Sequence, residues 1–301
     1  MQPDTSPGAR PPDRYAVLGR PVAHSQSPFI HAAFARQTGQ ALIYDRIECP
    51  PDGFEATLRA FVAAADPAAG IGPARGCNIT VPYKFQVLPL AQRVSARAAL
   101  ALAANVLGLD PAGWWADNSD GIGLVRDVEG QAGHRLTGQR LLLIGAGGAA
   151  AGVLGPLIAA GCSAVTVANR TPAKAQALVR RHQAWADRHG CQLRDSTLGE
   201  LGEAFDLVIN SSASSLAGAP VPVPARVLRP GTLALDLMYG PAAQPFLDWA
   251  HQHGASGRDG LGMLVEQAAE AFRLWRGVMP ATAPVLAALR AHLAAKAAAQ
   301  G

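Results

Sequence analysis

Residues 141–152, Leu-Leu-Leu-Ile-Gly-Ala-Gly-Gly-Ala-Ala-Ala-Gly, restrict the fold of this chain more than any other stretch. Leu141 to Ile144 have the length and unbroken apolarity of a strand buried on both faces. Gly145, Gly147 and Gly148 then supply a turn without side chains, and from Ala149 the sequence is small and helix-forming until Pro156. Strand, glycine turn and helix in this order form the phosphate-binding corner of a dinucleotide fold. The helix start offers free N–H groups and the positive end of its dipole to a pyrophosphate. Ala150 stands where the third glycine of a GxGxxG pattern falls, a permitted replacement.

Residues 141–168 carry no charged side chain, and a run of that length is long enough to span a bilayer. Six glycines, Pro156 and the polar residues Cys162, Ser163 and Thr166 argue against a span. The apolarity also divides into a strand (141–144), a helix (149–160) and a second strand (164–168), joined through Gly161.

Composition narrows the class further. A chain of 301 residues, 49% hydrophobic and 16% charged, is long enough for two domains with cores and is not disordered. Its formal charge of +4 invites a nucleic-acid reading, but the 26 basic residues are scattered, with no run beyond Arg180-Arg181. Lysine occurs at Lys84, Lys174 and Lys296 alone, so each is more informative than usual. Cys49, Cys77, Cys162 and Cys191 are far apart with no C-x-x-C pair, which fits neither zinc nor a disulfide framework and points to a reducing, cytoplasmic compartment. Residues 1–13 hold four prolines and no apolar core, and read as a flexible arm, not a signal peptide.

Along the chain, residues 14–19 predict a strand and Ser27-Pro28 a helix start, with the Ser27 hydroxyl as N-cap. Capping accounts for Ser27 but not for Ser25; two hydroxyls at one strand-to-helix corner suit either a plain turn or a small polyhydroxy or carboxylate ligand. A strand over 42–47 and a helix over 53–65 follow. Asn78 to Val81 alternates polar and apolar residues as a strand, closed by Pro82. Lys84 stands just beyond, beside Asn78, Thr80 and Tyr83, where ligands collect at strand ends; a solvent-facing helix-start lysine is the other reading. Residues 91–104 read as an alanine-rich helix, followed by Asn105. Asp120, before a helix pattern at 122–128, either caps that helix or faces Lys84 across a cleft, and spacing does not choose.

The strand 164–168 ends in Asn169-Arg170-Thr171. An NAD-preferring fold places an acid about 20 residues past the glycines for the ribose 2′-hydroxyl. No acid occurs between Leu141 and Ala186, whereas Arg170 and Lys174 stand where a 2′-phosphate would lie. The sequence therefore favours NADP(H). A strand over 205–210 runs into Ser211-Ser-Ala-Ser-Ser215, another over 233–237 precedes Met238-Tyr239, and 263–275 is amphipathic with Gln267 off its apolar face. The helix over about 283–298 is expected to cover the first domain.

Six stretches in order resemble the signature of shikimate dehydrogenases: 24–31 (HSQSPFIH), 78–84 (NITVPYK), 116–121 (ADNSDG), the glycine turn, 169–171 (NRT) and 259–267 (DGLGMLVEQ). The resemblance covers about residues 14 to 290. It implies an α/β protein of two domains: a discontinuous substrate domain (14–119 with 260–301) and an inserted Rossmann-like NADP-binding domain (120–259), the active site lying in the cleft between them. It implies reversible, NADPH-dependent reduction of 3-dehydroshikimate to shikimate, in aromatic amino acid biosynthesis, with Lys84 and Asp120 as the catalytic pair. Ser25 and Ser27 would bind the substrate carboxylate, with Tyr239 near it, and Asn78, Thr80, Asn105, Asp120 and Gln267 the ring hydroxyls. Gly145, Ala146, Gly147, Gly148, Ala149, Asn169, Arg170, Thr171, Lys174, Met238 and Gly260 would line the cofactor. It implies no metal, no nucleic acid and no membrane partner, and a monomer or homodimer. Val106 and Ala151 depart from the family's usual Thr and Arg, without removing a catalytic group. Two other readings are a broader quinate/shikimate dehydrogenase and a non-catalytic NADP-binding module.

Overall fold

A computed structural model of the protein describes residues 11–212 and 221–299; residues 1–10 of the expected arm and 213–215 of the serine-rich segment lie outside them. Its contacts divide the chain into two units, residues 1–119 with 268–301, and 120–267.

In the first unit β1 (Asp13–Gly19), β2 (Leu42–Glu48), β3 (Ala74–Ile79), β4 (Arg93–Val94), β5 (Val106–Asp110) and β6 (Gly113–Asp117) form one sheet, ordered β2-β1-β3-β5-β6-β4. β1 runs parallel to β2 and β3, whereas β5 is antiparallel to β3 and β6, so the sheet is mixed. Helices α1 (Ser27–Thr38), α2 (Phe54–Ala63) and α3 (Ala96–Ala101) belong to this unit. Its core gathers Leu18, Phe54, Leu58, Ile79 and Leu107. Tyr83 is also fully buried there, stacked on Phe54 with ring centroids 4.9 Å apart. Of the polar neighbours that favoured a cleft position for Lys84, Tyr83 therefore serves the core.

The expected helix over 91–104 shrinks to α3. Arg93-Val94 pair with β6, and Ser95 caps the helix by accepting the Ala98 N–H at 3.2 Å. Alanine composition suggested the longer helix, but a capped start and a left-handed Leu102 (φ 51°) bound it on both sides.

The second unit holds β7 (Arg140–Ile144), β8 (Ala164–Ala168), β9 (Gln192–Ser196), β10 (Leu207–Asn210), β11 (Leu233–Asp236) and β12 (Ser256–Arg258), every pair parallel. The order β9-β8-β7-β10-β11-β12 is that of a doubly wound dinucleotide-binding sheet, whose strand sequence reverses between β7 and β10. Parallel strands covered on both faces must be apolar throughout, and Leu141 to Ile144 are at most 1% exposed. Helices α4 (Asp120–Arg126), α5 (Gly148–Ala159), α6 (Pro172–Arg188) and α7 (Gln244–Gln252) complete the unit. α5 continues through Pro156, which removes one hydrogen bond, at the Gly152 carbonyl, without ending the helix.

The second division falls inside α8 (Leu261–Arg276), not at the 259/260 junction that the sequence suggests. Gln267 abuts Gly123 of α4 so closely that a Cβ there would stand 2.6 Å from the Gln267 backbone nitrogen. Later in α8, Glu270 pairs with Arg97 at 3.2 Å and the Trp275 indole donates to the Leu107 carbonyl at 3.1 Å. α9 (Ala283–Ala298) packs on α1, with Phe29 and His292 stacked at 5.0 Å.

Among the described residues no helix is long and apolar enough to cross a membrane, and no group of three His, Cys, Asp or Glu side chains could hold a metal ion. All four cysteines are free and buried, and burial pushes the Cys162 thiol up to about 12.

Candidate active site

The first unit brings its candidate residues into two polar clusters. At the start of α1 the Ser25 hydroxyl accepts the Ser27 N–H at 3.3 Å and lies 3.2 Å from the Ser27 hydroxyl. Ser27 is not the N-cap: Gln26 holds that position, and no side chain caps the helix. The two hydroxyls thus stand side by side at the helix start, Ser25 also serving its first N–H. Arg46 on β2 holds this turn, its Nε donating to the Ser25 carbonyl at 2.8 Å.

The second cluster runs across the sheet through two buried amides. The Asn78 Nδ2 donates to the Asn105 carbonyl at 3.0 Å, which also accepts the Ile79 N–H at 2.9 Å. The Asn105 Oδ1 accepts the Ser119 N–H at 2.7 Å while its Nδ2 donates to the Ser119 hydroxyl at 3.0 Å. A backbone N–H only donates and a carbonyl oxygen only accepts, so both amides are held in one orientation each. The half-buried Lys84 sits on a short helical turn whose carbonyl accepts the Ala104 N–H at 2.9 Å, one residue before Asn105. Thr80 follows β3, its N–H bonded to the Leu18 carbonyl at 2.9 Å.

In the second unit, Asp120 is the first residue of α4 and 4% exposed, chain-adjacent to the pinned Ser119. Gln267 is 8% exposed, and its amide donates to the Leu264 carbonyl of its own helix at 2.8 Å. Tyr239 is half-buried just past β11.

The glycine corner lies at the carboxyl end of β7. Gly145 has φ 111°, a left-handed backbone that favours glycine, and a Cβ there would stand 2.6 Å from the Ser211 hydroxyl oxygen. Gly147 differs: among the described residues nothing lies within 4 Å of where its Cβ would be. No atom of the described residues demands a glycine at 147, whereas a group approaching the backbone at the start of α5 would. Ala146, Gly148 and Ala149 are half-buried around it. This corner fits a dinucleotide pyrophosphate. Beyond β8 the Asn169 amide donates to the Thr171 carbonyl at 2.9 Å, and Arg170 and Lys174 are exposed. Among the described residues neither cation has an acidic partner. Met238 and Gly260 meet directly, the Gly260 N–H donating to the Met238 carbonyl at 2.8 Å.

Four contributors were not singled out from the sequence, three of them outside its motifs. Tyr44 and Arg46 lie on one face of β2, and the alternation of a strand would have paired them. Ser119 lies between two motif residues without a chemistry of its own. Asp236, fully buried, accepts from Asn210 at 2.9 Å and from the Met238 N–H at 2.8 Å, and nothing in its apolar strand announces that role.

Comparison with known proteins agrees across the chain. Residues 17–107 match the shikimate dehydrogenase substrate binding domain, 128–218 match shikimate / quinate 5-dehydrogenase, and 260–290 match the shikimate 5'-dehydrogenase C-terminal domain. A shikimate dehydrogenase (NADP(+)) of Methylibium petroleiphilum is 61% identical over 93% of this chain and 94% of its own length. Among solved structures, an Ael1 enzyme from Pseudomonas putida superposes with a TM-score of 0.80 at 46% identity, covering 92% of this chain and 98% of that one. Shikimate 5-dehydrogenase from Thermus thermophilus, in complex with NADP(H) and shikimate, gives 0.79 at 32% identity with the same coverage.

Proposed function

The chain belongs to the shikimate dehydrogenase family, and on that premise we propose how its own residues carry the reaction. It is an NADP-dependent oxidoreductase interconverting 3-dehydroshikimate and shikimate. NADPH, when bound, supplies the hydride. Ala146, Gly147, Gly148 and Ala149 would hold its pyrophosphate through backbone N–H groups, while Gly145, whose N–H is bonded to the Ala168 carbonyl at 2.8 Å, would shape the turn, with Met238 and Gly260 lining the cofactor. Arg170 holds the 2′-phosphate, with Asn169, Thr171 and Lys174 around it.

The Ser25 and Ser27 hydroxyls bind the substrate carboxylate together with Tyr239, and Asn78, Thr80, Asn105, Asp120 and Gln267 bind the ring oxygens. Lys84 gives its Nζ proton to the oxygen that becomes an alkoxide as the ketone is reduced. Asp120 holds a substrate hydroxyl and orients the ammonium. The buried free cysteines support work in a reducing compartment, the cytoplasm.

The observation that carries the substrate reading is the pairing of a two-hydroxyl turn with two orientation-locked amides in one unit, a set suited to a small carboxylate bearing several hydroxyls. The test is a rate assay pairing shikimate or quinate with NADP⁺ or NAD⁺. Turnover confined to shikimate with NADP⁺ is expected. Equal turnover of quinate overturns the assignment of the serine turn, and equal turnover with NAD⁺ overturns that of Arg170.

A further inference from the structure

The Tyr44 hydroxyl donates to the Asn78 Oδ1 at 2.7 Å, and Tyr44 lies on a strand that carries none of the family's motifs. Tyr44 is 8% exposed and Asn78 is 6% exposed, so little water competes for this bond. Burial raises the Tyr44 pKa well above the ordinary phenol value, so the phenol keeps its proton. The ring cannot easily turn. His31 stacks on it at 4.2 Å between centroids and 4° between planes, and Trp275 packs beside both.

An amide has one acceptor and two N–H donors. Asn78 accepts from Tyr44 with its oxygen and gives one N–H to the Asn105 carbonyl. Turning the amide over would set its oxygen against the Asn105 carbonyl oxygen and its NH₂ against a phenol that then has to accept. Both partners therefore favour the same orientation, which leaves the second N–H as the group that Asn78 has to offer; the buried His31 ring beside the amide makes no hydrogen bond through either nitrogen among the described residues.

We propose that Tyr44 is a positioning residue of the reaction: it locks the Asn78 amide so that an N–H, not the carbonyl, meets a ring oxygen of the substrate. The proposal rests on the reading of Asn78 as a substrate ligand. Tyr44 touches no reacting atom; it acts through Asn78. Losing one such neutral hydrogen bond and the order it imposes corresponds to about a tenfold weaker substrate interaction. Because the contact holds ground state and transition state alike, the loss falls on KM and leaves kcat within about twofold.

The experiment is a double-mutant cycle with Tyr44→Phe and Asn78→Ala, reading shikimate KM, NADP⁺ KM, kcat and Tm on the full chain. Tyr44→Phe is expected to raise shikimate KM about tenfold and to leave NADP⁺ KM unchanged. Asn78→Ala raises shikimate KM at least as far, and the double variant equals Asn78→Ala alone. A silent Tyr44→Phe beside an impaired Asn78→Ala overturns the positioning role and leaves Asn78 a ligand. Additive losses also overturn it, since Tyr44 would then act independently of Asn78. An Asn78→Ala variant with unchanged shikimate KM overturns the underlying reading instead. Asn78→Asp keeps the shape and the acceptor but has no N–H, so it tests the donor assignment even if Tyr44→Phe does not fold; an unchanged shikimate KM there overturns the proposal.

Discussion

On the proposed assignment, the two units offer their ligands opposite kinds of surface. In the first, the candidate groups are side chains, and Ser27, Asn78 and Asn105 are at most 6% exposed and tied to one another or to backbone. In the second, the corner after β7 is backbone without side chains, and the cations beyond β8 are exposed. The difference follows from what each has to recognise. A small ring with several oxygens is distinguished by where each donor and acceptor stands, which calls for fixed side chains in a dry setting. A pyrophosphate is recognised by charge and by close approach, which N–H groups at a helix start and an exposed guanidinium supply. Damage to the first unit should therefore be geometric and indifferent to salt, and damage to the second electrostatic and screened by it.

The strongest break in that contrast is chemical. Lys84→Ala is expected to lower kcat by about 10²–10⁴, the range for a positioned acid or base. Steady-state rates at saturating shikimate and NADP⁺ check this, and a near-wild-type kcat would remove Lys84 from the mechanism. Next comes Arg170→Ala, expected to raise NADP⁺ KM by about ten- to a hundredfold, the value of one charged hydrogen bond, while NAD⁺ KM stays put. The same variant sharpens the contrast. Raising ionic strength should weaken wild-type NADP⁺ binding several-fold, weaken the variant's far less, and leave shikimate KM nearly constant, all measurable by titration at two salt concentrations.

The smallest effect concerns stability, and the units should share it. Burial depresses His31 in the first unit to about 3 and His182 in the second to about 4, from an ordinary 6.5. Both are neutral in the folded protein, while the unfolded chain takes up their protons below about 6.5. Stability contributed by the neutral rings is thus full above that pH and declines as pH falls toward 4 and then 3. Thermal melts between pH 7 and 4 should show Tm falling, and His182→Phe should flatten part of the slope. A slope unchanged in that variant would assign the pH dependence elsewhere.

How far these features could be read from sequence depended on whether a residue's role shows in its neighbours along the chain. The glycine corner, the β7 and β8 strands and the α/β class were legible because unbroken apolar runs and a glycine turn are local signals. The β5–β6 hairpin and β9 were not. β9 is a half-exposed edge strand, Gln192 to Ser196, with no apolar alternation to mark it. The alanine-rich stretch before Asn105 misled in the other direction, because composition outweighed the Ser95 cap. Tyr44 escaped for a further reason: its partner is 34 residues away, and only the sheet order β2-β1-β3 makes them neighbours.

The division of the chain also has a consequence for how the protein is made. The second unit has every contacting residue in hand once Gln267 has emerged from the ribosome. The first 119 residues are synthesised earlier yet wait for α8 and α9, whose Trp275 closes on the Leu107 carbonyl and whose Arg276 pairs with Asp13. At about 5–20 residues per second, that wait lasts on the order of ten seconds or more. During it, the part of the nascent chain that carries Lys84 and the amide network is the part that chaperones have most reason to hold.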